Sequence, residues 1–273
     1  MSFDLIETSI DLGRPIRLYK FMRGVVTWAY CTADRDITYQ SVVYKSIPGG
    51  LRDSGVRQSG EATADAFEIT APATLAIAQL YRGIGPSDKI EITVYDKHFD
   101  DAQAIIAYIG SIYTVKFPAQ DRCTIVCNTD SVGLNAMGLT LTWARGCPYT
   151  LYERGCEVNR DLYKIDATVQ SKTGLTISSG TFESYEDSWF AGGYVEWPVG
   201  TGLFDRRGIV SHVGSVLELL GGTQNIGLGL TITAYPGCNK TIQQCNEKFE
   251  NDPNYGGAPH QPGKSPFDGT PAF

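Results

Sequence analysis

The 273 residues, 42% apolar and 19% charged, form a chain long enough to bury one large core or two modest ones and too apolar to stay unfolded. Lys and Arg number 23 against 30 Asp and Glu, a net charge of −7, so no basic excess exists to displace counterions from nucleic acid. Thirty glycines and 13 prolines exclude a helical bundle, no apolar run reaches the length of about 20 residues that a membrane helix needs, and the mixed-charge N-terminus lacks a signal segment's apolar core, which points to folding in a cytoplasm.

Taken in chain order, most segments read as strands. Ile77, Leu80, Tyr81 and Ile84 recur at helical spacing and predict one short helix ahead of Gly85-Pro86. Ile90, Ile92 and Val94 then alternate with Glu91, Thr93 and Tyr95, and Ile109, Tyr113, Val115 and Phe117 alternate with Gly110, Thr114 and Lys116. A polar, glycine-rich stretch from Ser131 to Gly138 marks a boundary, separating an N-terminal β-rich domain over 1–132 from a second β-rich domain over 133–257. Within the second, Tyr163, Ile165, Ala167 and Val169 share one face, as do Ile226, Leu228, Leu230, Ile232 and Ala234; Tyr194 and Trp197 occupy strand positions between them. The expected fold is mainly β with few short helices: two antiparallel domains of barrel or sandwich type and an irregular cysteine-rich C-terminal segment. A second helix is expected from Asn239 as N-cap, with Ile242, Cys245 and Phe249 on one face, ending before Pro253. Residues 258–273 hold four prolines and no periodicity, and read as an extended arm.

Seven cysteines in a reducing compartment do not form a disulfide framework, so each is core filler, reactive thiol or metal ligand. Cys123 and Cys127 share a strand face with Ile125, which spaces their sulfurs about 13 Å apart, too far for one metal site, so both read as packed apolar residues. Cys31 reads the same way. Cys147, Cys156, Cys238 and Cys245 sit instead in turn-rich sequence, the first three directly after glycine, at spacings C-x8-C and C-x6-C with 81 residues between the pairs. Those loops are wider than zinc knuckles and favour a [4Fe–4S] cluster, with zinc and a reduced structural thiol cluster as the alternatives. Helix N–H groups after Cys238 are expected to support its thiolate. A cytoplasmic iron–sulfur or zinc redox protein remains an open reading, although a ferredoxin packs its ligands more closely in sequence.

The segments GCPYTLYERGCEVN and PGCNKTIQQCNEKFENDPNYGGAPHQPGKSPF together resemble the cysteine-rich C-terminal region of the phage tail-tip and baseplate hub family, to which lambda-type tail-tip proteins and gene transfer agent hubs belong. The long insertion between the pairs and the stretch Glu247-Lys248-Phe249-Glu250-Asn251 depart from the family pattern. The resemblance implies a structural virion protein of the tail tip, a homotrimer joined to the distal tail protein, the central tail-tip or fibre hub protein and the tape-measure protein. It also implies a [4Fe–4S] cluster on Cys147, Cys156, Cys238 and Cys245.

No catalytic residue is expected. His98, between acidic neighbours in DKHFD, reads as a solvated residue, His212 as a packed strand residue, and His260 lies in the proline-rich tail. Tail proteins that cleave peptidoglycan make a cysteine hydrolase at Cys31 a further alternative, but its surroundings match no nucleophile motif. GGTQNIGLGL lacks the lysine-serine pair of a phosphate loop.

Overall fold

The computed structural model describes residues 3–9, 13–56, 66–99, 101–129, 138, 141 and 143–261. The chain divides into two compact units, Met1–Met137 and Gly138–Phe273. The glycine-rich stretch from Ser131 and the arm beyond Gln261 fall outside the described residues, apart from Gly138.

The first unit opens with a short helix, α1 (Phe3–Glu7), and forms one nine-stranded sheet in the order β3-β4-β2-β1-β7-β8-β9-β6-β5. In chain order its strands are β1 (Pro15–Arg23), β2 (Val26–Cys31), β3 (Ile37–Tyr39), β4 (Val42–Ser46), β5 (Arg52–Asp53), β6 (Phe67–Pro72), β7 (Glu91–His98), β8 (Ala104–Lys116) and β9 (Arg122–Thr129). Pairing is antiparallel except for the short β2–β4 contact. Strict alternation builds β6, where Phe67, Ile69 and Ala71 point inward, and β7, where Ile92 and Val94 do. Leu18 and Tyr19 are adjacent yet both fully buried, because β1 has a core on each face: Tyr19 joins Phe21, Ile92 and Ile125, and Leu18 joins Cys31, Ile37 and Tyr44.

Two expectations change here. A bulge between Ile112 and Thr114 shifts the phase of β8, so Tyr108 and Ile112 face the core while Ile109 and Tyr113 are exposed. The predicted helix shrinks to α2 (Ala76–Gln79), which anchors Ile77 and Ala78 in the core.

The second unit is a seven-stranded antiparallel sheet in the order β10-β16-β13-β14-β15-β12-β11. Its strands are β10 (Ile165–Thr168), β11 (Ser171–Thr173), β12 (Thr176–Ser178), β13 (Tyr194–Gly200), β14 (Leu203–Val213), β15 (Val216–Leu219) and β16 (Thr231–Tyr235). Trp197, Phe182, Phe190, Val195 and Ile232 form its core. The expected run from Ile226 is strand only from Thr231, and Leu228 is exposed. One helix, α3 (Ile242–Phe249), follows the sheet.

Candidate metal centre

The site lies where β16 and the approach to β13 run together. Past Tyr235 the chain enters Pro236-Gly237-Cys238, which lies against Ala191–Gly193 so closely that side chains are excluded. A Cβ on Gly237 would stand 1.8 Å from the Ala191 carbonyl oxygen, and one on Gly193 2.0 Å from that of Tyr235. Glycine at these two positions is therefore what sets Cys238 in place.

Cys147, Cys156, Cys238 and Cys245 all line one cavity, together with Leu151, Val158, Phe249 and Tyr255. Cys156 and Cys245 are buried, whereas Cys147 and Cys238 are partly exposed, and none is in a disulfide. The side chains close on one another and leave about 10 Å³, room for about one water. Cys31, Cys123 and Cys127 are fully packed in the first unit, in the two cores described above.

Backbone contacts draw the four turns together. The Cys147 N–H donates to the Lys240 carbonyl at 2.9 Å, and Cys156 N–H donates to Glu153 at 3.1 Å in a turn that holds Gly155 at φ +99°. The Cys238 sulfur accepts the Lys240 N–H at 3.3 Å, and the Cys245 thiol donates to the Asn251 carbonyl at 3.2 Å.

The expected helix start is corrected. Thr241, not Asn239, caps α3: its hydroxyl accepts the Gln244 N–H at 3.3 Å, while Asn239 accepts from Thr241 N–H at 3.0 Å in a preceding turn. The helix N-terminus thus begins past Cys238, whose sulfur is served by a single turn N–H. Ile242 is 40% exposed, so the inward face of α3 is Cys245 and Phe249 alone.

The lining offers four thiols with no carboxylate or imidazole among them. That donor chemistry suits soft metals and iron–sulfur groups. Among the described residues no group of three or more His, Cys, Asp or Glu is arranged to hold a metal ion directly. A zinc ion, with bonds of about 2.3 Å, needs its sulfurs within about 4 Å of one another, whereas a cube ligated at its corners holds them farther apart. Burial, followed by the neighbouring Cys238, Cys156 and Cys147, pushes the Cys245 thiol up to about 11.

Three side chains that sequence reasoning left aside also converge here. Lys248 donates to the Trp189 and Gly237 carbonyls at 2.5 and 2.9 Å, and burial lowers its amine to about 8 while Cys238 opposes the shift. Asn251 donates from its amide to the Cys156 carbonyl at 2.5 Å. The Tyr255 hydroxyl donates to Arg145 at 2.6 Å and stands 3.1 Å from the Lys240 carbonyl.

The histidines hold structural places. His98 is buried, not solvated as expected: its Nδ1 accepts the Arg14 N–H at 3.2 Å, and its Nε2 lies 2.8 Å from the Glu7 carboxylate. His212 is packed against Phe190 with ring centres 5.0 Å apart, and His260 is exposed. Cys31 is buried with its sulfur 3.4 Å from the Arg35 carbonyl, and burial raises its pKa, the opposite of what a nucleophile needs.

The described residues thus combine a mainly β fold with a four-thiol pocket built from irregular segments of the second unit. The chain belongs to the family described as baseplate hub protein, N-terminal attachment domain, which matches residues 18–159. Membership places it in the virion, at the baseplate. A second description, phage conserved hypothetical protein BR0599, matches residues 188–265 and takes in Cys238 and Cys245. In the solved virion of a native gene transfer agent particle, one chain has the same fold, with a TM-score of 0.80 over 96% of this chain and 93% of that one at 21% identity. An uncharacterized protein of Xylella fastidiosa (strain 9a5c) is 23% identical over 184 residues, which are 62% of this chain and 38% of that protein, so the chain spans well under half of that relative. No helix among the described residues is long and apolar enough to cross a membrane.

Proposed function

We propose that this baseplate hub protein links the tail tube to the central spike or fibre protein as a homotrimer, and that Cys147, Cys156, Cys238 and Cys245 hold a structural [4Fe–4S] cluster. The observation that carries the reading is the meeting of four cysteines, drawn from two segments 81 residues apart, around one cavity lined by no other acid, thiol or imidazole. A bound cluster supplies four thiolate bonds that cross-link the strand-free stretch around 147–156 to the stretch around 238–245. Closing so long a loop restricts the unfolded chain and stabilises the folded one. Seating the group requires thiol rotation outward, for which Cys147 and Cys238 are the partly exposed pair. Gly237 and Gly193 hold the turn that presents Cys238, and the Lys240 N–H stabilises its thiolate.

Cryo-electron microscopy of particles carrying this chain tests the assembly. The expected map shows three copies between the tail tube and the central fibre protein, with density bridging the four sulfurs. A single copy, or a ring elsewhere in the particle, would overturn the linking role.

A further inference from the structure

Resting on the cluster reading above, we infer that Lys248, Asn251 and Tyr255 are positioning residues, each fixing the backbone of a different ligand turn against the segment that carries Cys245. Every one of the three other turns is tied within two residues of its sulfur. Lys248 holds the carbonyl of Gly237, the residue before Cys238, at 2.9 Å, with its amine 4.3 Å from the Trp189 ring centre. Asn251 holds the carbonyl of Cys156 itself at 2.5 Å, and its own N–H donates to the Cys245 carbonyl at 3.1 Å. Tyr255 holds Arg145, two residues before Cys147, at 2.6 Å, and lies 3.1 Å from the Lys240 carbonyl that accepts the Cys147 N–H.

The offsets follow from the local structure. Lys248 stands one helical turn beyond Cys245 on α3. The chain then leaves the helix through Glu250 in a left-handed conformation and makes a short turn over Asp252–Asn254, which swings Asn251 and Tyr255 toward the remaining two ligand turns. Each anchor includes a bond to backbone, and the Asn251 amide also reaches the Cys156 sulfur at 3.9 Å, so the turns are held by the protein's own contacts. Ordering the four turns is thereby completed at folding, and binding does not have to supply it. Outer residues of this kind govern how well a metal group is retained.

The test uses the full chain with Tyr255→Phe, Asn251→Ala and Lys248→Met, and Ile232→Val as a core control away from the site. Protein reconstituted with iron and sulfide without oxygen is mixed with a ferrous chelator, and iron release is followed beside the denaturant midpoint of each variant. The three site variants are expected to release iron about 10–100-fold faster than wild type, and Ile232→Val at the wild-type rate. Release no faster than in Ile232→Val would overturn the inference. Hydrogen exchange on the metal-free protein separates it from the cluster reading: the Cys147 and Cys156 amides, bonded to the Lys240 and Glu153 carbonyls, are expected to be protected in wild type and to lose protection in Tyr255→Phe and Asn251→Ala respectively. Should the wild type take up no iron, the cluster reading falls and exchange alone decides, with unchanged protection overturning the positioning role.

Discussion

The Asn251 side-chain amide donates to the carbonyl oxygen of Cys156 at 2.5 Å across 95 residues of sequence. This bond joins the end of α3, the helix that carries Cys245, to the Gly155-Cys156 turn, and both cysteines line the same cavity. The two cysteine pairs therefore converge through polar contacts of the protein itself.

Serine substitutions sort the seven cysteines. Cys147→Ser, Cys156→Ser, Cys238→Ser and Cys245→Ser are each expected to abolish the visible absorption of anaerobically prepared protein. Cys31→Ser, Cys123→Ala and Cys127→Ala should keep that colour and cost about 1 kcal/mol or somewhat more in chemical denaturation, as buried sites that lose packing.

Gly237→Ala and Gly227→Ala make a matched pair. The first places a methyl 1.8 Å from the Ala191 carbonyl oxygen and the second meets nothing within 4 Å. Gly237→Ala should destabilise the second unit by about 3 kcal/mol and displace Cys238, while Gly227→Ala should stay within about 0.5 kcal/mol in the same denaturation experiment.

Acid stability of the first unit should depend on Asp53. Burial works to raise this carboxyl, but hydrogen bonds from Arg17 at 2.6 Å, from the Tyr19 hydroxyl and from the Gly55 N–H at 2.9 Å outweigh it and hold the pKa below the ordinary 3.8. A carboxylate with a lowered folded pKa stabilises fully above the unfolded value, and the benefit disappears as pH falls through the folded one. Asp53→Asn is therefore expected to cost about 1.5–3 kcal/mol at pH 7 and to flatten the loss of stability below about pH 4. Denaturant titrations from pH 7 to pH 2 measure both effects.

The phase of β8 is checked by Ile112→Ala and Tyr113→Ala. Ile112 is 7% exposed and Tyr113 71%. The first should cost about 2–4 kcal/mol and the second at most about 0.5 kcal/mol by thermal or chemical unfolding.

Alternation in the sequence exposed the mainly β character, because strands with one wet face write their burial into every second residue. It located Ile90, Ile92 and Val94 in the core, and Ala167 and Val169 likewise. It misassigned Ile109 and Tyr113, because a bulge changes the phase of a strand with no residue that announces it. Glycine before cysteine and turn-rich context singled out the four thiols that line the cavity. The cap of α3 was misplaced because Asn239 and Thr241 are both good caps, and only the turn accepted by Asn239 decides between them. Lys248, Asn251 and Tyr255 were not legible, since their partners are backbone carbonyls from distant segments and carry no side-chain signature.

Chemical analysis of iron and acid-labile sulfide in protein purified without oxygen tests the account most directly. The account predicts brown protein with about four irons and four sulfides per chain, lost in Cys238→Ser. Colourless protein carrying one zinc per chain, or an iron content unaffected by Cys238→Ser, would contradict it.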